Sequence, residues 1–176
     1  PARAADDVEQ ASKLLAAKDF PGAIRLLERA IGFDPDNAVI HRLLGRAYLG
    51  LGNRGKAQDH LSAAAQAAPA DLETQLLLGQ LLASQRRNEQ AITRLRHALA
   101  GPEAKADNPR AGEALLTLAL LLDREGYWTA ALEAYGKLSD WVDAHGRDYA
   151  DSAALREWVL HPDRLLSRRG ALHLLL

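Results

Sequence analysis

Leu43-Leu44-Gly45-Arg46-Ala47-Tyr48-Leu49-Gly50-Leu51-Gly52-Asn53-Arg54-Gly55-Lys56-Ala57 is the stretch whose reading decides the fold, because the chain around it repeats. Ala57 lies 34 residues from both Ala23 and Ala91, and Leu61 stands in the same relation to Leu27 and Leu95. Ala30, Ala64 and Ala98 keep that spacing, as do Gly45 with Gly79 and Pro35 with Pro69. A fixed period of roughly 20–50 residues marks a stack of like supersecondary units. Units that touch only their neighbours build extended concave surfaces, and such surfaces bind.

Working outward, the unit before the quoted stretch reads as two helices and a turn. Leu14 and Leu15 belong to the first helix, and Lys18-Asp19-Phe20-Pro21 forms the turn. Ala23, Ile24, Leu27, Ala30 and Ile31 then follow at helical spacing. Pro21 suits the first turn of the second helix, where a missing N–H costs nothing. Phe33-Asp34-Pro35-Asp36-Asn37 ends it, since the residue before a proline avoids the α region. The unit after the quoted stretch carries Leu78-Gly79, Leu82, Ala91, Leu95 and Ala98, and a fourth resumes near Gly112 with Leu118-Ala119, Leu122, Gly126, Trp128, Ala131, Tyr135 and Leu138. Its spacing from the third is 40 residues, so about six have been inserted.

Leu44-Gly45, Tyr48, Ala57, Leu61, Ala64 and Pro69, with Gly52 in the turn, resemble the signature of the tetratricopeptide-repeat family. The resemblance implies an all-α, right-handed superhelical solenoid of antiparallel helix pairs. It divides the chain into repeats over residues 4–37, 38–71, 72–105 and 112–145, with a linker at 106–111. Leu166, Arg169-Gly170 and Leu172 are similar to the first helix of a fifth repeat, at residues 163–176, preceded by an insertion at 146–162 that adds a short helix. Gly45 and Ala57 are expected where two helices cross, because a larger side chain there would part them.

Composition supports helices and removes several functions. Hydrophobic residues make up 48% of the 176-residue chain but aromatics only 5%, so its interior is built from Leu and Ala, both strong helix formers. With 22 Lys+Arg against 23 Asp+Glu the net charge is -1, which gives no global field to draw nucleic acid or an anionic membrane. No apolar run approaches the ~20 residues of a membrane span. The chain has no Cys, hence no disulfide framework and no thiolate nucleophile. It starts at Pro1 and contains no Met, so its start reads as processed or engineered; the compartment stays open between cytoplasm and, with a leader removed, periplasm.

Three constellations look chemical. Gly50-Leu51-Gly52-Asn53-Arg54-Gly55-Lys56 fits G-x-G-x-x-G and the opening of a phosphate loop, yet a helix precedes it and Ala57 stands where a Mg²⁺-binding hydroxyl belongs. The turn reading wins. His41, His60, His97, His145, His161 and His173 form no i, i+4 pair of a zinc helix. Asp140, Asp143, His145, Asp148 and Asp151 miss the EF-hand spacing and its terminal Glu, so they read as solvated carboxylates and helix caps. No catalytic residue, metal site or cofactor is indicated, and the chain reads as no enzyme.

The first helices are the better candidates. In the family these line the concave face, and the resemblance places Val8 and Ser12, then Arg42, Arg46 and Leu49, then Glu73, Leu76 and Gln80, then Leu116, Leu120 and Asp123 on it. Arg42 and Arg46 are four apart and share a helical face, where two guanidiniums can hold a carboxylate or phosphate. Ser12 and Arg46 replace asparagines of the family's carboxylate clamp, which argues against a chaperone-adaptor role. The arginine pair suits an acidic segment of a protein partner, while the apolar remainder favours an amphipathic helix or an extended apolar segment, or the chain's own next helix. Leu172, Leu174, Leu175 and Leu176 are expected to lie bare at a broken fifth repeat, making the chain a piece of a longer array or a self-associating one. The expected function is a bacterial, non-enzymatic scaffold for protein–protein interaction. The alternative is a structural or regulatory repeat segment of a larger protein, in envelope assembly or polysaccharide export, or fused to an enzyme.

Overall fold

Apolar residues at helical spacing, broken by short polar turns, give antiparallel helix pairs. The structure, a computed structural model, describes residues 2–104, 108–145 and 163–174; among these every regular element is helical. The helices are α1 (Ala2–Ala16), α2 (Phe20–Ile31), α3 (Ala38–Gly50), α4 (Arg54–Ala67), α5 (Leu72–Ser84), α6 (Asn88–Ala100), α7 (Pro109–Arg124), α8 (Trp128–His145) and α9 (Asp163–His173), with one 3₁₀ turn at Pro102–Ala104. The chain forms two compact units, Pro1–Leu81 and Leu82–Leu176.

The positions that repeat in sequence are the buried ones. Ala23, Ala57, Ala91 and Ala131 have no exposed surface; Leu27, Leu61 and Leu95 match them, and Tyr135, at 1%, takes the equivalent place in the fourth pair. In the first unit α1 packs on α2, α2 on α3 and α3 on α4. Gly45 marks the crossing of α3 and α4: a Cβ there would lie 2.5 Å from Leu61 Cγ and 3.5 Å from the Ala57 carbonyl oxygen. In the second unit Gly112 does the same for α7 and α8, where a Cβ would meet the Trp141 ring at 2.6 Å.

Each pair turns by one device. Lys18, Gly52, Arg86 and Gly126 are all left-handed, with φ of 60°, 75°, 61° and 80°. The N–H of the following residue returns to the carbonyl five positions back, as Asp19 to Leu14, Asn53 to Tyr48, Arg87 to Leu82 and Tyr127 to Leu122, each at 2.9 Å. The left-handed residue itself bonds three back, completing four Schellman motifs. Asp19 and Asn53 then cap the next helix by accepting from the N–H of Gly22 and Lys56. Arg87 makes no such side-chain bond.

Two expectations need restating against this geometry. Helix α7 begins at Pro109, inside the stretch assigned to the linker, because Asn108 caps it and Pro109 occupies its first turn. Leu172 is not bare but fully buried, in a helix packed on α8, while Leu174 is 90% exposed. The insertion at 146–162, and Leu175 and Leu176, lie outside the described residues.

Candidate functional site

Three of the expected groove residues meet at one place in the first unit. Arg42 Nη1 donates to Asp71 Oδ1 at 2.5 Å, its Nε faces Glu73 at 3.5 Å, and Arg46 Nη1 lies 3.2 Å from the other Glu73 oxygen. Asp71 doubles as the cap of α5, accepting from the Thr74 N–H at 2.8 Å and from the Thr74 hydroxyl. Two guanidiniums therefore face two carboxylates, all partly buried. Glu73 was expected on this face; Asp71 was not, since its sequence reading was only that of a repeat's last residue.

Val8 lines a second feature of the same unit, an open apolar crevice of about 640 Å³ between α1, the α2–α3 loop and the start of α3. Ala4, Ala5, Phe33, Val39 and Ile40 complete its apolar wall, with Glu9, Asp34 and Asn37 at its edge. Phe33 is 64% exposed and Val39 45%. Asn37 caps α3 by accepting from the N–H groups of Val39 and Ile40, so those donors are already taken. The sequence signal for Phe33 was present, a large apolar residue inside a polar helix-ending loop, but it was absorbed into the stop signal.

The other expected residues divide by burial. Leu76 and Leu116 are buried and serve packing, whereas Gln80 and Leu120 are exposed and Leu49 is half-buried. Exposed Ser12 turns its hydroxyl back onto the Val8 carbonyl at 2.9 Å. In the second unit Asp123 is held by Arg168 of α9, whose Nε donates to Asp123 Oδ2 at 2.6 Å and whose Nη2 donates to Oδ1. The Tyr135 hydroxyl adds a bond to Asp123 at 3.3 Å, and burial beside that carboxylate pushes the phenol up to about 12. The part of the second unit that carries Asp123 thus already holds a helix of this chain.

His41 and His60 form a contact that their scatter in sequence hid. His41 Nε2 lies 2.8 Å from the Pro35 carbonyl, which only accepts, so this nitrogen carries a proton. Neutral His41 then accepts at Nδ1 from Nδ1–H of His60, 3.0 Å away. His60 also stacks on Tyr48, with ring centroids 5.5 Å apart. Burial, and then the neighbouring His41, hold the His60 imidazole below its usual pKa. Among the described residues no group of three or more His, Cys, Asp or Glu is placed to hold a metal ion. No helix there is long and apolar enough to cross a membrane.

The comparisons with known proteins agree with this architecture. The tetratricopeptide-repeat family model matches residues 14–65. No curated protein matches the sequence. Among solved structures, that of MamA is 22% identical with a TM-score of 0.67, covering 96% of this chain and 92% of that one. YrrB, described as a tetratricopeptide-repeat protein with an unusual peptide-binding site, is 20% identical with a TM-score of 0.65 over 94% of this chain and 84% of its own. An O-GlcNAc transferase mutant of Thermobaculum terrenum is 24% identical with a TM-score of 0.69, matching 82% of this chain but only 26% of that enzyme. Residues 14–65 thus match the tetratricopeptide-repeat family, and the likeness to these solved structures shows an all-α repeat fold shared along nearly the whole chain.

Proposed function

We propose that the chain is a non-enzymatic interaction module that holds a peptide or helix of a protein partner against its first helices. The observation that carries this reading is the crevice at Val8, where Phe33 and Val39 leave apolar surface open beside a half-buried wall. An apolar slot flanked by a few polar groups suits a side-chain anchor better than a reacting substrate. The peptide-binding site named for YrrB supports the same reading by fold likeness. The guanidiniums of Arg42 and Arg46 already have Asp71 and Glu73 against them, so the reading rests on apolar contact rather than on an anionic anchor. Peptides selected from a random helical library on the full chain test it. They should bind Val39→Arg at least tenfold more weakly than wild type; equal binding to both would sink the groove reading.

A second reading has one observation behind it. The likeness to a quarter of an O-GlcNAc transferase fits a repeat segment of a larger protein, regulatory or structural in role. Its test is the parent coding sequence: a catalytic, membrane or barrel segment fused in frame would favour it, and an immediate stop codon would remove it.

A further inference from the structure

The crevice at Val8 carries acid at its edge and, among the described residues, no base in its lining. Among the described lining residues Glu9 and Asp34 are the ionisable ones, and none is Lys, Arg or His. Glu9 is paired with Lys13 at 2.6 Å, but both side chains are about 70% exposed, and such a surface pair is weak and easily exchanged. Among the described residues Asp34 accepts a neutral hydrogen bond from the Asn37 amide, at 2.8 Å, and meets no cation. The N-terminus of α3 would favour an anion, yet Asn37 has taken its first free N–H groups.

The second unit shows how this protein receives a helix. Helix α9 brings a cation and, one turn on, a leucine: Arg168 pairs in two-pronged fashion with Asp123, and Leu172 is fully buried. The sequence of α9, Asp163 to His173, holds three arginines against one carboxylate. A carboxylate beside apolar wall, met by arginine and leucine four residues apart, is a docking mode seen inside this chain.

We infer that the crevice of the first unit takes a basic amphipathic helix of a partner protein, with leucine in the slot and Lys or Arg facing Asp34 and Glu9. This rests on the groove reading above and fixes the sign of the partner's charge, opposite to the acidic guest that Arg42 and Arg46 suggest in sequence. Two exposed carboxylates supply about a tenfold preference at low salt, and screening narrows it as salt rises.

The test uses the full chain and two fluorescent peptides, one with the sequence of residues 163–174 and one in which Arg164, Arg168 and Arg169 are all Glu. The basic peptide is expected to bind about tenfold more tightly in anisotropy titrations at low salt. The double variant Glu9→Lys with Asp34→Lys should reverse that order, Val39→Arg should weaken both peptides, and Asp123→Asn should change neither. Equal binding of the two peptides to wild type would overturn the charge inference while leaving the groove reading intact. Binding of both that ignores Val39→Arg would overturn the groove reading itself. Loss with Asp123→Asn would mean that the peptide exchanges with α9, and a chain dimer dispersed by Val39→Arg while neither peptide binds would put a second copy in the crevice; either result overturns the inference. Circular dichroism of each variant separates lost binding from lost fold.

Discussion

His60 is half-buried, stacked on Tyr48 and with its Nδ1 3.0 Å from that of His41; burial first, and then His41, holds its pKa down. Protonation would add charge to a half-buried ring beside His41, so the folded state resists it. Since the folded chain lowers the His60 pKa, the unfolded chain binds that proton first. Stability is then complete above the unfolded value of about 6.5 and falls as pH drops through it toward the lowered one. Urea midpoints measured from pH 7.5 to 5 should fall for wild type and fall less for His60→Phe, which keeps the stack on Tyr48 and removes the titration. Equal slopes would place the acid sensitivity elsewhere. None of this was legible in the sequence, where 19 residues separate the two histidines and only the fold brings α3 against α4.

The helix hairpin is the scale at which sequence spoke most clearly, since its signals are local. Leu44-Gly45, Ala57 and Leu61 announce a close crossing, where a Cβ at Gly45 would lie 2.5 Å from Leu61, and Gly52 announces its turn because φ is positive there. The same turn at Lys18 and Arg86 is silent in composition; only register with Gly52 reveals it. Capping varies under that constant turn. Arg87 has a backbone close to that of Asn53, with φ of -90° against -81°, but lacks an oxygen to accept the orphan N–H groups of α6. Arg87→Asn should therefore raise stability by about 1 kcal/mol, read as a higher thermal midpoint. No change would mean that those N–H groups are satisfied as well by solvent.

On the scale of the whole molecule, sequence placed the first helices correctly as elements but not the ionic partners of their side chains. Arg42 and Arg46 looked available because helical spacing reports which face a residue shares, not what faces it from 29 residues away at Asp71. Asp123 looked available for the same reason, until Arg168 reached it from 45 residues on. Asp123→Ala removes the carboxylate and leaves Arg168 unmatched at a partly buried site. The amides of α9 should then lose hydrogen-exchange protection while those of α3 and α4 keep theirs. Unchanged protection in α9 would mean that Leu172 alone holds it.

The docking of α9 on the second unit also bears on valence. A helix tethered to its own site competes at an effective concentration on the order of millimolar, whereas a partner in solution must displace it from far lower concentration. On the reading proposed above, a weakly binding helix therefore finds the Asp123 position closed and the Val8 crevice open. On that reading, two positions of like chemistry differ in availability because the chain has already filled one of them with its own helix.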